Sequence, residues 1–226
     1  MDIEKKTMVA LSTQALQRMP YYLQYLKQLQ SSGVAVIAAP AIAEAMGLHE
    51  VQVRKDFAAV STTRGKPKAG FVVAELVENM ETLLGYHNVN DAVLVGAGSL
   101  GRALLSYQEF DTCGMHIVAA FDRDEGIIGS QINGKKVLAI DALPELCRRL
   151  GVHIGIITVP ANQAQAVCDL LVSGGILAIW NFAPTHLLAP REILIRNENM
   201  ASSLAVLSQH LQGRMAKQST HSPEGQ

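Results

Sequence analysis

A glycine-rich turn in the second half of the chain constrains the fold more than any other feature. The apolar run Ala92–Val95 leads into Gly96–Gly101, which reads G-x-G-x-x-G, and a helix-like stretch follows from Arg102. Such a turn between a strand and a helix is typical of dinucleotide-binding folds, because its glycines allow a tight turn, a close approach of backbone to pyrophosphate, and close packing of helix on strand. The phosphates face the N–H groups at the helix start. The candidate cofactor-binding residues of this turn are Gly96, Ala97, Gly98, Ser99, Leu100 and Gly101.

An acidic residue stands where a dinucleotide fold places one. Asp122 follows the apolar run Ile117–Phe121 and lies 21 residues after Gly101. A carboxylate there accepts hydrogen bonds from the adenosine ribose hydroxyls and repels a 2′-phosphate, so the sequence favours NAD and NADH over NADP. Arg123 follows directly and is a candidate to soften that preference. The alternative is that Asp122 only forms the turn that ends its strand.

Short apolar runs alternate with helix-like stretches from Asp91 onward. Two further runs, Ile154–Val159 and Ile176–Trp180, are predicted strands. Continuous apolar strands separated by helices are typical of a parallel sheet that is covered on both faces. Ligands of such sheets bind beyond the carboxyl ends of the strands. The residues at these two ends therefore join the candidate cofactor site: Thr158, Val159, Pro160, Asn181 and Phe182.

The first 85 residues have a helical pattern with one basic interruption. Pro20 suits the first position of a helix that runs to about Ser31. Pro40–Met46 is a predicted second helix ended by Gly47, and His49–Val60 is a predicted third. Two short helices joined by a glycine-containing turn predict a helix-turn-helix arrangement.

The third helix separates an apolar face from a polar one. Val53, Phe57 and Val60 recur at helical spacing, which predicts the buried face. Asp56 leans toward that face and is expected to pair with a nearby Arg or Lys. The other side carries hydrogen-bond donors of the kind that read base edges and phosphates in a major groove. These candidate DNA-binding residues are Gln52, Arg54 and Lys55, and the alternative is a merely solvated helix face.

A basic segment follows the third helix directly. Ser61–Val73 reads as a hairpin with Gly65–Lys68 near its tip. Between Gln52 and Gly70 the chain carries five Lys or Arg against one acid, although its net charge is only −1. A basic hairpin after a recognition helix is typical of the wing of a winged helix, which contacts phosphates or a minor groove. The candidate DNA-binding residues of the wing are Arg64, Lys66 and Lys68.

Several other classes of protein are poorly supported. The three cysteines and seven histidines have no spacing typical of a disulfide framework or a metal centre, so we expect neither. The longest apolar stretch, Val34–Ala43, is far shorter than a membrane span of about 20 residues. Met1–Lys6 is polar and lacks the apolar region of a signal peptide. We therefore expect a cytoplasmic protein without a membrane or metal partner.

The second half of the chain is short for an ordinary dehydrogenase. About 135 residues follow Asp91, which is room for one cofactor domain without a substrate domain. His153, His186 and Tyr107 could donate a proton, but nothing orients them as an acid–base pair. A cofactor site without a substrate site favours a sensor that is not an enzyme. The alternatives are a small NAD-dependent oxidoreductase and a constitutive DNA-binding protein with a vestigial nucleotide fold.

The last predicted helix has a single apolar stripe. Met200, Leu204, Leu207 and Leu211 recur on it at helical spacing. A terminal helix must bury such a stripe, either on its own domain or in the groove of a partner. These residues slightly favour dimerisation.

Five motifs together carry a family resemblance. They are Arg18–Tyr22, Gln52–Asp56, Gly96–Gly101, Val159-Pro160 with Ala164-Gln165, and Asn181–Pro184. With these motifs the chain, over about residues 8 to 211, resembles the Rex family of redox-sensing transcriptional repressors. The resemblance implies an α/β fold with an N-terminal winged helix-turn-helix domain, a Rossmann-like parallel-sheet domain and a C-terminal domain-swapped helix. The expected boundaries are 1–85, 86–198 and 199–214, with a disordered tail at 215–226.

The resemblance also implies a function. It implies a homodimer, joined through the C-terminal helix, that represses genes at inverted-repeat operator DNA; NADH releases the DNA, and NAD competes for the same site. An Asp and an apolar aromatic that often precede the last helix in this family are Asn199 and Met200 here. In relatives that Asp engages an Arg or a Tyr, which Arg18 and Tyr107 match. The implied inter-domain switch residues are Arg18, Tyr107 and Asn199, linked here by an ordinary hydrogen bond.

An apolar pocket would distinguish NADH from NAD. The reduced ring is neutral and the oxidised ring is cationic, so apolar surroundings favour NADH by sparing it the desolvation of a charge. The residues expected to line this pocket are Tyr107, residues from Asn181–Pro184 that include Phe182, and the partner subunit's Met200. Closure around NADH would move two recognition helices away from half-sites that lie one helical turn, or a multiple of one, apart.

Overall fold

The computed structural model describes residues 11–61, 70–88 and 90–219, with the side chains of its last helix described as far as residue 215. The chain divides into two compact units. One comprises Met1–Asn88 with Thr112–Gly114, and the other comprises Val89–Asp111 with Met115–Gln226. We call them the helical unit and the sheet unit. Each has an apolar core of its own.

The helical unit contains the predicted helix-turn-helix. Its described elements are α1 (Thr13–Ser31), β1 (Val36–Ile37), α2 (Ala39–Met46), α3 (Glu50–Val60), β2 (Phe71–Val72) and α4 (Val73–Leu84). Gly47 ends α2 in the left-handed region, with a φ of +63°, and turns the chain toward α3. The His49 imidazole then caps α3 by accepting a hydrogen bond from the Val51 N–H. The predicted second and third helices are thus confirmed to within one residue.

The first helix starts at Thr13, seven residues before the start that Pro20 predicts. Ser12 caps α1, because its hydroxyl accepts a hydrogen bond from the Ala15 N–H at 3.2 Å. Pro20 therefore lies inside the helix and not at its first position. The prediction was wrong because a capping serine outweighs the preference of proline for a helix start. The buried side of α1, which includes Met19, Tyr22 and Leu26, stabilises the helix through the core.

A short antiparallel pair of strands joins two distant segments of the helical unit. Val36 pairs with Val72, and Ile37 pairs with Phe71. Residues 62–69 of the predicted hairpin lie outside the described residues. Val73 was assigned to that hairpin, but it is the first residue of α4, so the described strand ends at Val72.

The sheet unit is a mostly parallel sheet with helices between its strands. Its described elements are β3 (Asn90–Val95), α5 (Ser99–Leu105), α6 (Glu109–Thr112), β4 (Met115–Asp122), β5 (Gln131–Ile132), β6 (Lys135–Ala139), α7 (Leu143–Leu150), β7 (Ile154–Ile157), α8 (Ala161–Ser173), β8 (Ala178–Asn181), β9 (Leu194–Asn197) and α9 (Met200–Ser219). The strands follow the order β5-β6-β4-β3-β7-β8-β9, and only β5 is antiparallel to its neighbour.

Both faces of this sheet are buried, as the continuous apolar strands predict. Val93 and Val95 belong to the core on one face, and Ala92 and Leu94 belong to the core on the other. The strand order turns in opposite directions from β3, toward β4 on one side and β7 on the other. Such a reversal leaves a crevice beyond the carboxyl ends of the two central strands, where open α/β sheets bind ligands.

The last helix is longer than predicted and exposes its apolar stripe. It runs to Ser219 instead of ending at residue 214, so the first five residues of the predicted tail are helical; residues 220–226 lie outside the described residues. Met200 is 69% exposed and Leu207 is 65% exposed. In the described part of the chain, no helix combines the length and the apolar character that crossing a bilayer requires.

Candidate cofactor site and nucleic-acid interface

The glycine turn between β3 and α5 requires two of its three glycines for reasons of packing. Gly96 has a φ of +103°, and a Cβ there would lie 2.9 Å from the carbonyl carbon of Thr158. A Cβ on Gly101 would overlap the carbonyl oxygen of Gly96, so only glycine lets α5 pack against this turn. These are the roles that the motif predicts for its first and last glycines.

The middle glycine leaves room for a ligand. A Cβ on Gly98 would meet no described atom within 4 Å, so nothing in the described chain explains why this position is glycine. Gly98 is exposed and caps α5, whose first N–H groups have no partner within the helix. The open side of the turn therefore combines backbone donors with space, and the residues present fit the phosphates of a dinucleotide.

Thr158 fastens the glycine turn to the neighbouring strand β7. Its hydroxyl donates toward the carbonyl oxygens of Gly96 at 2.7 Å and Val95 at 3.0 Å. Its backbone N–H donates to the Val95 carbonyl at 2.9 Å. Val159 packs on the same turn, and Pro160 caps α8. The predicted rim residues thus lie beside the turn, where they hold the crevice in shape.

Asp122 lies against the glycine turn. Its carboxylate accepts hydrogen bonds from the backbone N–H groups of Ala97 at 2.6 Å, Arg123 at 2.7 Å and Asp124 at 3.0 Å. The bond to Ala97 brings the end of β4 to the turn, as ribose binding requires. The bonds to Arg123 and Asp124 are those of a turn-forming Asp, so both interpretations of Asp122 remain open. Arg123 itself is exposed.

Both polar atoms of the Asn181 side chain form hydrogen bonds inside the protein. Its side chain is buried, and its amide nitrogen donates to the carbonyl oxygens of Ala183 and Thr185 and to the side chain of Asn197. Its amide oxygen accepts a hydrogen bond from the Ala183 N–H at 3.0 Å. In the structure Asn181 therefore orders the loop after β8, and its contact with a cofactor stays a prediction.

Four aromatic rings form a continuous cluster on one face of the sheet. The ring centroids are 4.9 Å apart for Tyr107 and Phe110, 5.8 Å for Phe110 and Trp180, and 4.8 Å for Trp180 and Phe182. Tyr107 and Phe182 were predicted to share a pocket, and this cluster connects them. Phe110 and Trp180 were missed, because no motif contains them.

Each predicted switch residue has a hydrogen-bond partner within its own unit. Asn199 accepts a hydrogen bond from the Ser202 N–H at 3.2 Å and so caps α9, while Met200 lies at the exposed start of that helix. The Tyr107 hydroxyl donates to Glu109. Arg18 belongs to the helical unit, where it binds another side chain. The link between Arg18, Tyr107 and Asn199 stays a prediction.

Helix α3 has the buried and exposed faces that its sequence predicts. Val53 and Phe57 are fully buried, and Val60 is 9% exposed. Gln52, Arg54 and Lys55 are exposed, and Arg54 forms an ion pair with Glu50 one turn earlier. The two faces of the helix are therefore confirmed. The candidate wing residues Arg64, Lys66 and Lys68 lie outside the described residues.

Asp56 is the centre of a buried hydrogen-bond network behind that surface. Arg18 donates to both of its oxygens, at 2.8 and 3.0 Å, while Tyr22 donates to one at 3.0 Å and Gln52 to the other at 2.9 Å. The expected pairing with an Arg is confirmed. Burial alone would raise the pKa of Asp56, but the hydrogen bonds from Arg18, Tyr22 and Gln52 outweigh it and hold that pKa below its ordinary value.

Three potential metal ligands that the sequence spacing did not reveal lie near the end of α4. Glu78, Glu81 and His87 place ligand atoms within 4.8 Å of one another. The Lys27 ammonium lies 2.5 Å from a carboxylate oxygen of Glu81 and supplies a positive charge there. An ion-pair cluster that joins α1 to α4 is therefore the simpler interpretation.

Comparisons with known proteins agree with both halves of this description. A family model for a CoA binding domain matches residues 87–185, and one for a putative DNA-binding protein N-terminus matches residues 10–58. The redox-sensing transcriptional repressor Rex of Bacteroides fragilis is 34% identical over 93% of this chain and 95% of that protein. The same-named protein of Carboxydothermus hydrogenoformans is 40% identical over 85% and 92%.

Solved structures also match over nearly the whole chain. RSP, described as a Rex-family repressor, is 29% identical with a TM-score of 0.82, over 94% of this chain and 99% of that one. RSP in complex with beta-NAD+ and operator DNA gives a TM-score of 0.85 over 95% and 100%. RSP in complex with beta-NADH gives 0.82 over 94% and 99%.

Proposed function

The chain belongs to the Rex family of redox-sensing transcriptional repressors, and from this premise we propose that it binds inverted-repeat operator DNA as a homodimer and releases it when NADH binds. Membership confirms the prediction of a redox-sensing repressor that is not an enzyme. The proposal is supported by the presence of a candidate cofactor site and a candidate DNA-binding surface in one chain. The glycine turn meets Asp122 at a crevice of the sheet unit, and α3 of the helical unit exposes a row of hydrogen-bond donors.

The cofactor is assigned to the crevice beyond β3 and β7. The backbone from Gly96 to Gly101 would hold the pyrophosphate, Asp122 would accept from the ribose, and Thr158, Val159 and Pro160 would form the rim. The bound cofactor supplies no bond-making chemistry, only a ring whose charge depends on its redox state. The aromatic cluster with Tyr107 and Phe182 supports binding of the neutral ring, because apolar surroundings disfavour a cation.

Operator DNA is assigned to the helical unit. Gln52, Arg54 and Lys55 would enter the major groove, and Arg64, Lys66 and Lys68 would contact phosphates beside it. We place the DNA-binding domain at 1–85, the cofactor domain at 86–198 and the dimerisation helix from residue 199. The protein would act in the cytoplasm, where operator DNA lies.

A second copy of the chain would cover the apolar stripe of α9. The four stripe residues, Met200, Leu204, Leu207 and Leu211, are all more than half exposed. Exposed apolar side chains in such a row mark an interaction surface. A homodimer is also what an inverted repeat requires, because a two-fold protein matches two half-sites one helical turn apart.

Operator affinity measured against the NADH/NAD ratio tests the proposal. A palindromic duplex is first selected by the full-length protein from a randomised library, and its affinity is then measured by fluorescence anisotropy at constant total cofactor. We expect affinity to fall as the NADH fraction rises. To shift the two states from 1:99 to 99:1, NADH would have to bind the released state about 10⁴-fold more tightly than the DNA-binding state. CoA at the same concentration is the control ligand, because one matching family model carries its name.

Two outcomes would contradict the proposal. Affinity that does not change with the ratio would indicate a constitutive DNA-binding protein. Selection of no duplex, together with turnover of the cofactor by an added substrate, would restore the small NAD-dependent oxidoreductase.

A further inference from the structure

The buried network behind α3 has one member on the DNA-facing side. Gln52 is exposed, yet its amide nitrogen donates to the Oδ1 atom of Asp56 at 2.9 Å, one turn further along the helix. Arg54 and Lys55 lie on the same exposed part of α3, and neither donates to Asp56 in the structure. Among the three candidate base-reading residues, Gln52 is therefore the one whose head group is held by a buried residue.

Asp56 is itself fixed before it holds Gln52. Oδ1 accepts from Arg18 and Gln52, and Oδ2 accepts from Arg18 and Tyr22, so four hydrogen bonds fill the capacity of the carboxylate. Its side chain is only 3% exposed. The forked guanidinium of Arg18 sets the plane of the carboxylate, because both of its bonds require that plane. Asp56 is thus a rigid acceptor at a fixed place on α3.

A fixed acceptor determines which way the amide of Gln52 faces. An amide turned by 180° would bring its oxygen to a carboxylate oxygen, and two acceptors repel each other. One N–H of Gln52 is therefore used by Asp56, which leaves one N–H and the Oε1 atom for the groove. Adenine presents one acceptor, N7, and one donor, the N6 amino group, in the major groove. Guanine presents two acceptors and would need both N–H groups of the amide.

We propose that Asp56 is a positioning residue that fixes the Gln52 amide in the orientation that reads one adenine in each operator half-site. The proposal rests on the proposed function, since it concerns the same DNA surface. It assigns the specificity to a pair of residues, one of which never contacts DNA. The entropy of ordering the glutamine is lost on folding instead of on binding, which favours recognition of the adenine.

The test compares base preference and not affinity alone. The selected palindrome is made with each of the four base pairs at each half-site position, and the full-length protein is measured on every duplex in the presence of NAD. The wild type should prefer A·T at one position by about 5- to 150-fold. Gln52→Ala should lose that preference and keep those at the other positions. Asp56→Ala should lose the preference at the same position, and Gln52→Ala/Asp56→Ala should lose no more of it.

Tyr22→Phe is the matched control. It removes one hydrogen bond from Oδ2 and leaves the bond between Oδ1 and Gln52 in place, so it should lower stability and retain the A·T preference. A role of Asp56 in folding alone would weaken all four duplexes by one factor and leave their ratios unchanged. Retained A·T preference in Asp56→Ala, or its loss in Tyr22→Phe, would overturn the proposal.

A measurement on the wild type covers the case in which Asp56→Ala does not fold. The side-chain amide of Gln52 should be rigid by NMR in the DNA-free protein, unlike that of the exposed Gln24 on α1. Equal mobility of the two amides would overturn the proposal. A wild-type protein that selects no palindrome at all would instead contradict the proposed function, so the two failures are distinguishable.

Discussion

Asp56 and Asp122 are both carboxylates at candidate binding surfaces, and their surroundings differ in kind. Asp56 in the helical unit is 3% exposed and accepts hydrogen bonds from three side chains, one of them charged. Asp122 in the sheet unit is half-buried, and among the described residues its hydrogen-bond donors are all backbone N–H groups. The first is closed off by the protein, whereas the second lies at the rim of a crevice.

The difference shows how a carboxylate can serve binding in two ways. A buried carboxylate must be paired, because an unpaired buried charge is costly. Once paired it acts only through the side chains that it holds. A carboxylate at a rim keeps access to solvent, and its backbone partners fix its position without filling the space in front of it. Asp56 is therefore suited to positioning, and Asp122 is suited to direct contact with a ligand.

The free energy of unfolding of two variants tests whether the two carboxylates differ in this way. Asp56→Ala leaves the Arg18 guanidinium and the Tyr22 hydroxyl without their partner, so we expect the free energy of unfolding to fall by about 3–5 kcal/mol. Asp122→Ala should cost less, about 1–3 kcal/mol, because it leaves the backbone N–H of the buried Ala97 without its partner, whereas Arg123 and Asp124 are exposed and their N–H groups can bond to water. Urea unfolding measures both, with circular dichroism for the whole chain and fluorescence of Trp180, the single tryptophan, for the sheet unit. Equal losses in the two variants would show that burial does not separate these carboxylates.

Binding measurements should show that substitutions in the sheet unit affect NADH binding and substitutions in the helical unit affect operator binding. Asp122→Ala is expected to weaken NADH binding by about 1.5–3 kcal/mol, the usual contribution of a hydrogen bond to a charged group. Operator affinity without NADH should not change in this variant.

In Arg54→Ala/Lys55→Ala, the free energy of operator binding should weaken by about 1–3 kcal/mol for each base contact that is lost, while NADH binding is retained. Fluorescence titration with NADH and anisotropy with operator DNA measure the four values.

Either of two results would contradict these assignments. Unchanged NADH binding in Asp122→Ala would leave only the turn-forming role for that carboxylate. Unchanged operator affinity in the double variant would remove α3 as the recognition helix.

The sequence predicted the features that depend on neighbouring residues. The turn and packing roles of Gly96 and Gly101 were predicted correctly, because a positive φ and a close helix–strand contact admit only glycine. The buried face of α3 followed from its helical period. Pro20 was misplaced, because a proline is also tolerated inside a helix whose start is set by a cap, here Ser12, and whose buried side stabilises it.

For features that depend on distant parts of the chain, the sequence predicted the kind of interaction but not the residues that take part in it. The sequence indicated that Asp56 pairs with an Arg or a Lys. It did not indicate that the partner is Arg18, 38 residues away, or that Tyr22 also donates to Asp56. Asn181 was predicted from its position at a strand end, and its contacts with the loop could not be read from the motif. Short strands such as β6, which begins with Lys135-Lys136, lack the apolar run that marks a buried strand.

The smallest expected effect, a dependence on pH, sharpens the description of the buried carboxylate. The pKa of Asp56 is held below its ordinary 3.8, so the stability from its ionised form is complete above that pH and is lost only as pH falls through the lowered value. Burial and then the hydrogen bond to Asp56 raise the pKa of Tyr22 from 10 to about 12, so its contribution is complete below pH 10 and is lost as pH rises to about 12.

The difference in unfolding free energy between the wild type and a variant isolates each group. The difference between the wild type and Asp56→Ala should be constant from neutral pH down to pH 3.8 and should shrink only below it. The difference between the wild type and Tyr22→Phe should shrink only above pH 10. An Asp56→Ala difference that already shrinks well above pH 3.8 would mean that the pKa of Asp56 is raised, which is the behaviour of a buried carboxylate that Arg18 does not hold.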